Sequence, residues 1–432
     1  AAGNVPQDAR TIVVGRHARL VPATNPEVAH SHARRAEGRA RIASFPEVLR
    51  DRIGDSPALI VAGSYGKSSC SALAAWCLAH AGARPGWFVG ADAPDLVDNG
   101  RLGEGGPFVI EGDEYPAAID DPRPKFAFYP VDALLLTAAE HDHVNVYPTV
   151  DSYLEPFRTL AERVPGQGRI VACATGPHLD TVVAAAAAPV VRYAADAVPG
   201  ADWHAEDIRP GARTTFGLVH RGKRIGGIST GLLGRHNVEN IVGVAALLLE
   251  GGYLSFDAFA AAVSAFRGVR RRLERLTPDH ALPVYSDFGS SRAKCLAGIH
   301  TLREAFPDRR IVVCFEPHTF SFRNRDALHW YDDLFARADH VLVHHPPTHG
   351  ADTHEQLGLD EIVARIRASG VAADPVDNAE AVLAALANLD PNRDLIVFET
   401  SGSFDGAIPR VVEAMRNARP PGEGDSAPHA RT

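Results

Sequence analysis

The sequence predicts an α/β protein: a central parallel-sheet domain built around a phosphate-binding loop, a second α/β domain after it, and a shortened region in front. Three observations predict this. Leu59-Ile60-Val61-Ala62 is an apolar run leading into Gly63-Ser64-Tyr65-Gly66-Lys67-Ser68-Ser69 and then an Ala/Leu-rich helical stretch. A strand, a tight Gly-rich turn and a helix N-terminus make a phosphate cradle. Beyond it apolar strands alternate with helices, the signature of a βαβ sheet. Near Pro278 that alternation starts afresh. A chain of 432 residues also exceeds what one core holds and suggests two or three domains.

In order, Thr11 to Gly15 reads as a strand, and Asn25 to Glu37 and Phe45 to Arg52 as helices. The chain opens on Ala-Ala-Gly, so an initiator and further residues are expected to precede it. After the loop, Phe108 to Glu114 reads as a strand ending in Glu111, Asp113 and Glu114. Ala133 to Thr137 is another, running into Glu140-His141-Asp142-His143. Ligand groups in parallel sheets gather at such carboxyl ends. Asp151 to Val164 is an amphipathic helix and Arg169 to Ala174 a strand; residues 196–231 read as short β segments. Gly234-Arg235-His236-Asn237 opens an apolar helix through Leu249, and Phe256 to Phe266 is a further helix. In the second domain Val284 to Asp287, Arg310 to Phe315, His340 to His344 and Asp394 to Phe398 read as strands. Arg292 to Glu304, Ala327 to Ala336, Leu359 to Ala368 and Ala379 to Leu389 read as helices. Asn417 to Thr432 has the Pro/Gly/Ser-rich composition of a disordered tail.

Composition sets bounds. A net charge of −9 argues against nucleic acid as a partner. No apolar run reaches membrane-spanning length, and there is no signal-peptide pattern. Five scattered cysteines without metal spacing read as reduced thiols in a cytoplasmic protein. The many histidines, among them His318, His344, His345, His349 and His354, are dispersed and read as loop residues.

Chemistry concentrates at the loop. The backbone N–H groups of Gly63, Ser64 and Gly66 face anionic oxygens, Lys67 supplies a cation, and a Ser68 or Ser69 hydroxyl suits Mg²⁺. The loop encloses only two residues between its glycines, so alone it also fits an ordinary strand–turn–helix corner. Lysine weighs against that corner, because the chain has four lysines against forty arginines. Glu111, Asp113 and Glu114 end one strand and Glu140, Asp142 and His143 the next; oxygen ligands there, with a phosphate and water, suit Mg²⁺, and zinc spacing is absent. Arg270, Arg271 and Arg272 can bring a guanidinium to a transferring phosphoryl group. Asn237 and Asn240 can read a base edge or cap their helix. Asp287 can face a nucleotide or close a turn.

The order of these motifs resembles the Mur ligase family of ATP-dependent amide-forming enzymes. Gly63 to Ser69 is similar to the family's Gly-Thr-x-Gly-Lys-Thr-Thr loop, with Ser for each Thr. Phe108-Val109-Ile110-Glu111-Gly112-Asp113-Glu114-Tyr115, Asp121-Pro122-Arg123-Pro124-Lys125-Phe126 and Glu140-His141-Asp142-His143 resemble the branch that recycles murein tripeptide. Gly234 to Asn237 and Gly268 to Arg272 are similar to the family's adenine and phosphate motifs. Glu316-Pro317-His318-Thr319-Phe320-Ser321 is similar to the alanine-adding branch, and Ser401 to Gly406 to the recycling branch.

The resemblance implies a Mur-ligase-like fold: residues 1–54 a shortened substrate region, 55–276 the ATP-binding domain, 277–416 a Rossmann-like α/β domain and 417–432 the tail. It implies ATP and Mg²⁺ as cofactors, and small-molecule carboxylate and amine substrates joined through an acyl phosphate, in a monomer or homodimer. Gly63, Ser64, Gly66, Lys67, Ser68, Ser69, Asn237, Arg271, Arg272 and Asp287 would bind the nucleotide. Ser68, Glu111, Glu114 and His143 would hold metal, with Lys67, Glu114, His143 and Arg272 catalytic. Two departures point to a shifted substrate: residues 1–54 match only the second half of the family's first domain, and Ser290-Ser291-Arg292 stands where the relevant branches have His-His-Pro. The alternatives are a murein-peptide recycling ligase acting on UDP-N-acetylmuramate, a non-catalytic ATP-binding scaffold, and a P-loop kinase or phosphatase, which the short loop disfavours.

Overall fold

The computed structural model describes residues 2–15, 23–118, 121–143, 146–347 and 355–416. The expected tail, His349 and His354 lie outside these residues. The chain divides into two compact units: Ala1–Asp207, Phe216–Ile228 and His236–Phe266 form the first, and Ile208–Thr215, Ser229–Arg235 and Arg267–Thr432 the second.

The first unit opens with β1 (Thr11–Val13) paired in parallel with β2 (Arg41–Ala43), around α1 (Pro26–Ala36) and before α2 (Phe45–Ile53). Asn25 caps α1 by accepting from the Glu27 and Val28 N–H groups. The large sheet comprises β3 (Ala58–Ala62), β4 (Gly86–Phe88), β5 (Gly100–Arg101), β6 (Phe108–Gly112), β7 (Ala133–Leu136), β8 (Arg169–Cys173), β9 (Val190–Tyr193), β10 (Trp203–Arg209), β11 (Thr214–His220) and β12 (Lys223–Thr230). Their order is β12-β11-β10-β9-β8-β7-β3-β6-β4-β5. α3 (Lys67–His80), α4 (Val150–Glu162), α5 (Leu179–Val183), α6 (Arg235–Glu250) and α7 (Phe256–Ala265) connect the strands or follow them.

Every residue of β3 is buried, as expected of a parallel strand covered on both faces. β3 lies between β6 and β7, with Val61 opposite Glu111 and Ala62 opposite both Gly112 and Leu136. That register brings three strand ends level. The strand expected through Glu114 stops at Gly112, so Glu111 sits within the ladder while Asp113 and Glu114 lie beyond it. The β segments expected to be short over 196–231 are long: β10 and β11 have seven residues each and β12 eight. Arg221 and Gly222, both at positive φ, join β11 to β12 in a tight hairpin turn.

The second unit holds a six-stranded sheet: β13 (Glu274–Arg275), β14 (Val284–Asp287), β15 (Arg310–Phe315), β16 (His340–His344), β17 (Ala372–Val376) and β18 (Asp394–Glu399), ordered β13-β14-β18-β15-β16-β17. All pairings are parallel except β13 with β14. α8 (Arg292–Ala305) and α10 (Leu359–Ala368) pack on one face, around Ile299, Leu302, Phe315 and Ile362. α11 (Ala379–Leu386) and α12 (Ala407–Arg416) pack on the other, around Val382, Phe398, Phe404 and Val411. The helix expected at Ala327 to Ala336 is instead a 3-10 run, Arg325–Asp332, after the four-residue α9 (Phe320–Arg323). Asn324 is extended and separates the two, and Tyr331 is drawn inward by donating to the Phe322 carbonyl at 2.7 Å. Among the described residues no helix is long and apolar enough to cross a membrane.

Candidate active site

The loop after β3 owes its shape to its glycines. Gly63 has φ +138°, and a Cβ there would fall 2.2 Å from Thr137 Oγ1 and 2.7 Å from the Ala138 carbonyl. Gly66 is left-handed at φ +78° and immediately precedes α3. The loop is tied to the segment after β7. The Ser64 N–H donates to Ala138 O at 3.0 Å, its hydroxyl to Glu140 O at 2.7 Å, and the Thr137 hydroxyl to Tyr65 O. The first turn of α3 leaves its N–H groups without intrahelical acceptors, at the positive end of the helix dipole. A loop and helix start of this form suit a phosphate.

The expected metal ligands collect at this cradle in two pairs, with Lys67 beside the second; of the expected catalytic residues, Arg272 is not among them. The Ser68 hydroxyl donates to Glu111 Oε1 at 2.8 Å, while the Gly90 N–H fixes Glu111 Oε2 at 2.7 Å. His143 Nε2 lies 3.0 Å from Glu114 Oε1. Lys67 joins the second pair, with Nζ 3.0 Å from each Glu114 oxygen. Glu114 is buried, and Glu111 and His143 are half-buried. Ser69 follows, half-buried, on α3.

Among the described residues no three His, Cys, Asp or Glu side chains gather into a set that would hold a metal unaided. The donors suit Mg²⁺ all the same: a hydroxyl and two carboxylates beside a phosphate cradle, with Glu114 Oε2 buried and taking no directional hydrogen bond among the described residues. The residues present therefore fit Mg²⁺ bound with a phosphate. Asn237 is buried near the start of α6 and accepts from Asn240 Nδ2 at 3.3 Å; Asn240 in turn approaches Gly66 and Cys70.

Arg271, Arg272 and Asp287 belong to the second unit. Arg271 is left-handed, and its guanidinium donates to the Thr400 and Gly402 carbonyls. Arg272 is exposed, with its guanidinium 5.8 Å from the Phe288 ring. Asp287 accepts from the Leu273 and Phe288 N–H groups at 3.2 and 2.9 Å. Burial pushes its carboxyl above the usual range, against those donors and the Arg272 and Lys294 charges. Arg270 pairs with Glu274 at 3.2 Å.

Several contributors escaped sequence reasoning. Ser71 reaches Glu111 Oε2 at 3.4 Å, and its place one helical turn after Ser68 was a usable signal. Tyr115, directly after Glu114, bonds His143 at 2.9 Å. Tyr153 donates to Ser64 Oγ at 3.2 Å, which no local pattern announces. Glu399, fully buried on β18 opposite Asp287, could be found only from the fold.

The Mur ligase middle domain model matches residues 61–248. A UDP-N-acetylmuramate–L-alanine ligase of Roseiflexus sp. is 34% identical over 301 residues, covering 66% of this chain and 62% of that protein, a little under two thirds of its length. One from Burkholderia multivorans is 29% identical over 422 residues, covering 95% of this chain and 86% of the relative. Among solved structures, the UDP-N-acetylmuramate–alanine ligase of Thermotoga maritima superposes with a TM-score of 0.72 at 21% identity, covering 93% of this chain and 84% of that one. A murein peptide ligase of Psychrobacter arcticus gives 0.56 at 22% identity, covering 96% and 87%. Both structures share the multi-domain α/β fold. Middle domain, relatives and fold agree: this chain carries a Mur ligase middle domain over residues 61–248 and has the multi-domain α/β fold of the Mur ligases.

Proposed function

We propose that this chain joins a small-molecule carboxylate to an amine at the expense of ATP, through an acyl phosphate, in the cytoplasm. The observation that carries this reading is the convergence of Lys67, Ser68, Glu111, Glu114 and His143 on one phosphate cradle. In the first step a carboxylate oxygen bonds the γ-phosphorus and the bond to ADP breaks. In the second, the amine nitrogen bonds the acyl carbon, phosphate leaves, and the amine gives up a proton.

Both steps bring anions together, so neutralising charge is the main demand. The α3 N-terminus and the loop N–H groups bind and orient the phosphates. Lys67 supplies a fixed cation there. Bound Mg²⁺ would supply further neutralisation, held by Ser68 with Glu111 and by Glu114 with His143. We assign Asn237 to the base, and Arg271, Arg272 and Asp287 to the nucleotide, with Arg272 the guanidinium for the transferring phosphoryl group.

The first acid to test is UDP-N-acetylmuramate, which the names of the alanine-adding relatives give as their substrate. The amine is the open choice. Ser290 accepts from Lys294 Nζ at 2.9 Å, and Arg292 pairs with Asp333. Hydroxyls and a salt bridge thus occupy the positions expected to be His-His-Pro, which supports a shifted amine specificity. The test is phosphate release from Mg-ATP with UDP-N-acetylmuramate and either L-alanine or a murein tripeptide, then with other acids and amines, and products weighed by mass spectrometry. ATP binding with no amide from any pair would favour the scaffold reading.

A further inference from the structure

His143 is held from both sides. Nε2 lies 3.0 Å from Glu114 Oε1, and Nδ1 lies 2.9 Å from the Tyr115 hydroxyl. The Tyr115 ring stands against the imidazole, with centroids 4.3 Å apart at 52°. Asp142 Oδ1, at 3.7 Å from Nδ1, is beyond hydrogen-bond reach. Tyr115 is itself fixed: its N–H donates to Asp113 Oδ1 at 2.9 Å, and its carbonyl accepts from the Lys125 N–H at 3.0 Å.

A carboxylate only accepts, so Nε2 carries the proton facing Glu114. In a neutral imidazole Nδ1 is then the acceptor, and the tyrosine O–H donates to it. Coordination reverses this. Were His143 to hold Mg²⁺ through Nε2, its proton would sit on Nδ1, which would then need an acceptor. A carbonyl or carboxylate at Nδ1 would serve only the second state, and an N–H donor only the first. A hydroxyl serves both, because it can donate or accept.

We propose that Tyr115 is a positioning residue that holds the His143 ring in one orientation in both tautomers, so that Nε2 can exchange Glu114 for Mg²⁺ without the ring turning. The inference rests on the assignment of His143 as a metal ligand. It gives tyrosine at this position a chemical reason that its neighbours' acidity does not.

The test uses the full chain with ¹⁵N-labelled histidine, with the His143 signals assigned by loss in His143→Gln. The ligand-free protein is expected to show the Nε2–H tautomer, and the protein with Mg²⁺ and a non-hydrolysable ATP analogue the Nδ1–H tautomer. In Tyr115→Phe the ligand-free ring is expected to populate both tautomers. Its affinity for Mn²⁺, used in place of Mg²⁺ with the same analogue and read by electron paramagnetic resonance, is expected to fall about 10–100-fold. Urea midpoints of variant and parent show that the fold is retained. Parental tautomer and Mn²⁺ affinity in Tyr115→Phe would overturn the role of Tyr115, provided His143→Ala has lost affinity. If His143→Ala also binds Mn²⁺ like the parent, the assignment of His143 as a ligand fails with it.

Discussion

The Lys67 ammonium lies 3.0 Å from both carboxylate oxygens of Glu114. The Glu114 side chain is 2% exposed and that of Lys67 14%, so each compensates a charge that water reaches poorly. Lys67→Ala therefore does two things. Turnover falls by about a hundredfold or more, as when a fixed group that neutralises developing charge is removed. Stability falls by about 3 kcal/mol, because a buried carboxylate loses its cation. Adding Glu114→Gln recovers most of the stability and none of the activity. Urea unfolding and phosphate release, run on both variants, read these separately.

Glu399 and Asp287 make stability depend on pH. Glu399 is fully buried, and among the described residues neither of its oxygens has a partner in good hydrogen-bond geometry, the Cys295 thiol being only a weak donor nearby. Burial and the neighbouring Asp287 charge push its carboxyl well above the usual range, while the Cys295 thiol works the other way. A raised folded-state value means that the folded chain holds a proton the unfolded chain has released. Stability therefore falls as pH rises above the unfolded value of about 4.3. Glu399→Gln removes that loss. The variant is expected to be more stable than the parent at neutral pH, with the two urea midpoints converging below about pH 4. Parallel pH profiles would contradict this.

Two glycines at positive φ separate strain from collision. Gly63 has Thr137 Oγ1 where a Cβ would go, whereas at Gly200, with φ +82°, no described residue comes within 4 Å of that position. Gly200→Ala is expected to cost about 1 kcal/mol, the backbone cost alone. Gly63→Ala adds the clash, for about 3 kcal/mol, and weakens binding of a non-hydrolysable ATP analogue. Calorimetry and thermal unfolding check both.

All five cysteines are free and buried. Burial pushes the Cys173 thiol up to about 11 and raises the other four thiols as well. None has the thiolate character that reactivity needs. Ellman's reagent is expected to label no thiol in the native protein within minutes, and five in urea.

The cradle was legible because its signals are local. Gly63, Gly66 and Lys67 sit on consecutive turns of chain, and β3 and α3 flank them in sequence. The apolar runs gave β3, β7, β15 and β18 with little error. Elsewhere the signal was short or masked. β4 has three residues. β17 contains Pro375, tolerated because β17 is an edge strand. α12 hides behind Gly406 and Pro409, the latter in its first turn, where a missing N–H costs nothing. The 3-10 run at Arg325–Asp332 answers to the burial of Tyr331 against Phe315 and Phe322, a tertiary cause. The contact of Tyr115 with His143 joins residues 28 apart and depends on the register of β3 with β6 and β7.

The most direct measurement of the ligase reading is product formation with Mg-ATP, UDP-N-acetylmuramate and a panel of amines, followed by phosphate release and mass. The reading predicts one phosphate released per amide formed, with both lost in Lys67→Ala/Glu114→Gln. Phosphate transferred to an acceptor as a stable ester, or nucleotide bound with no amide from any acid and amine, would contradict it.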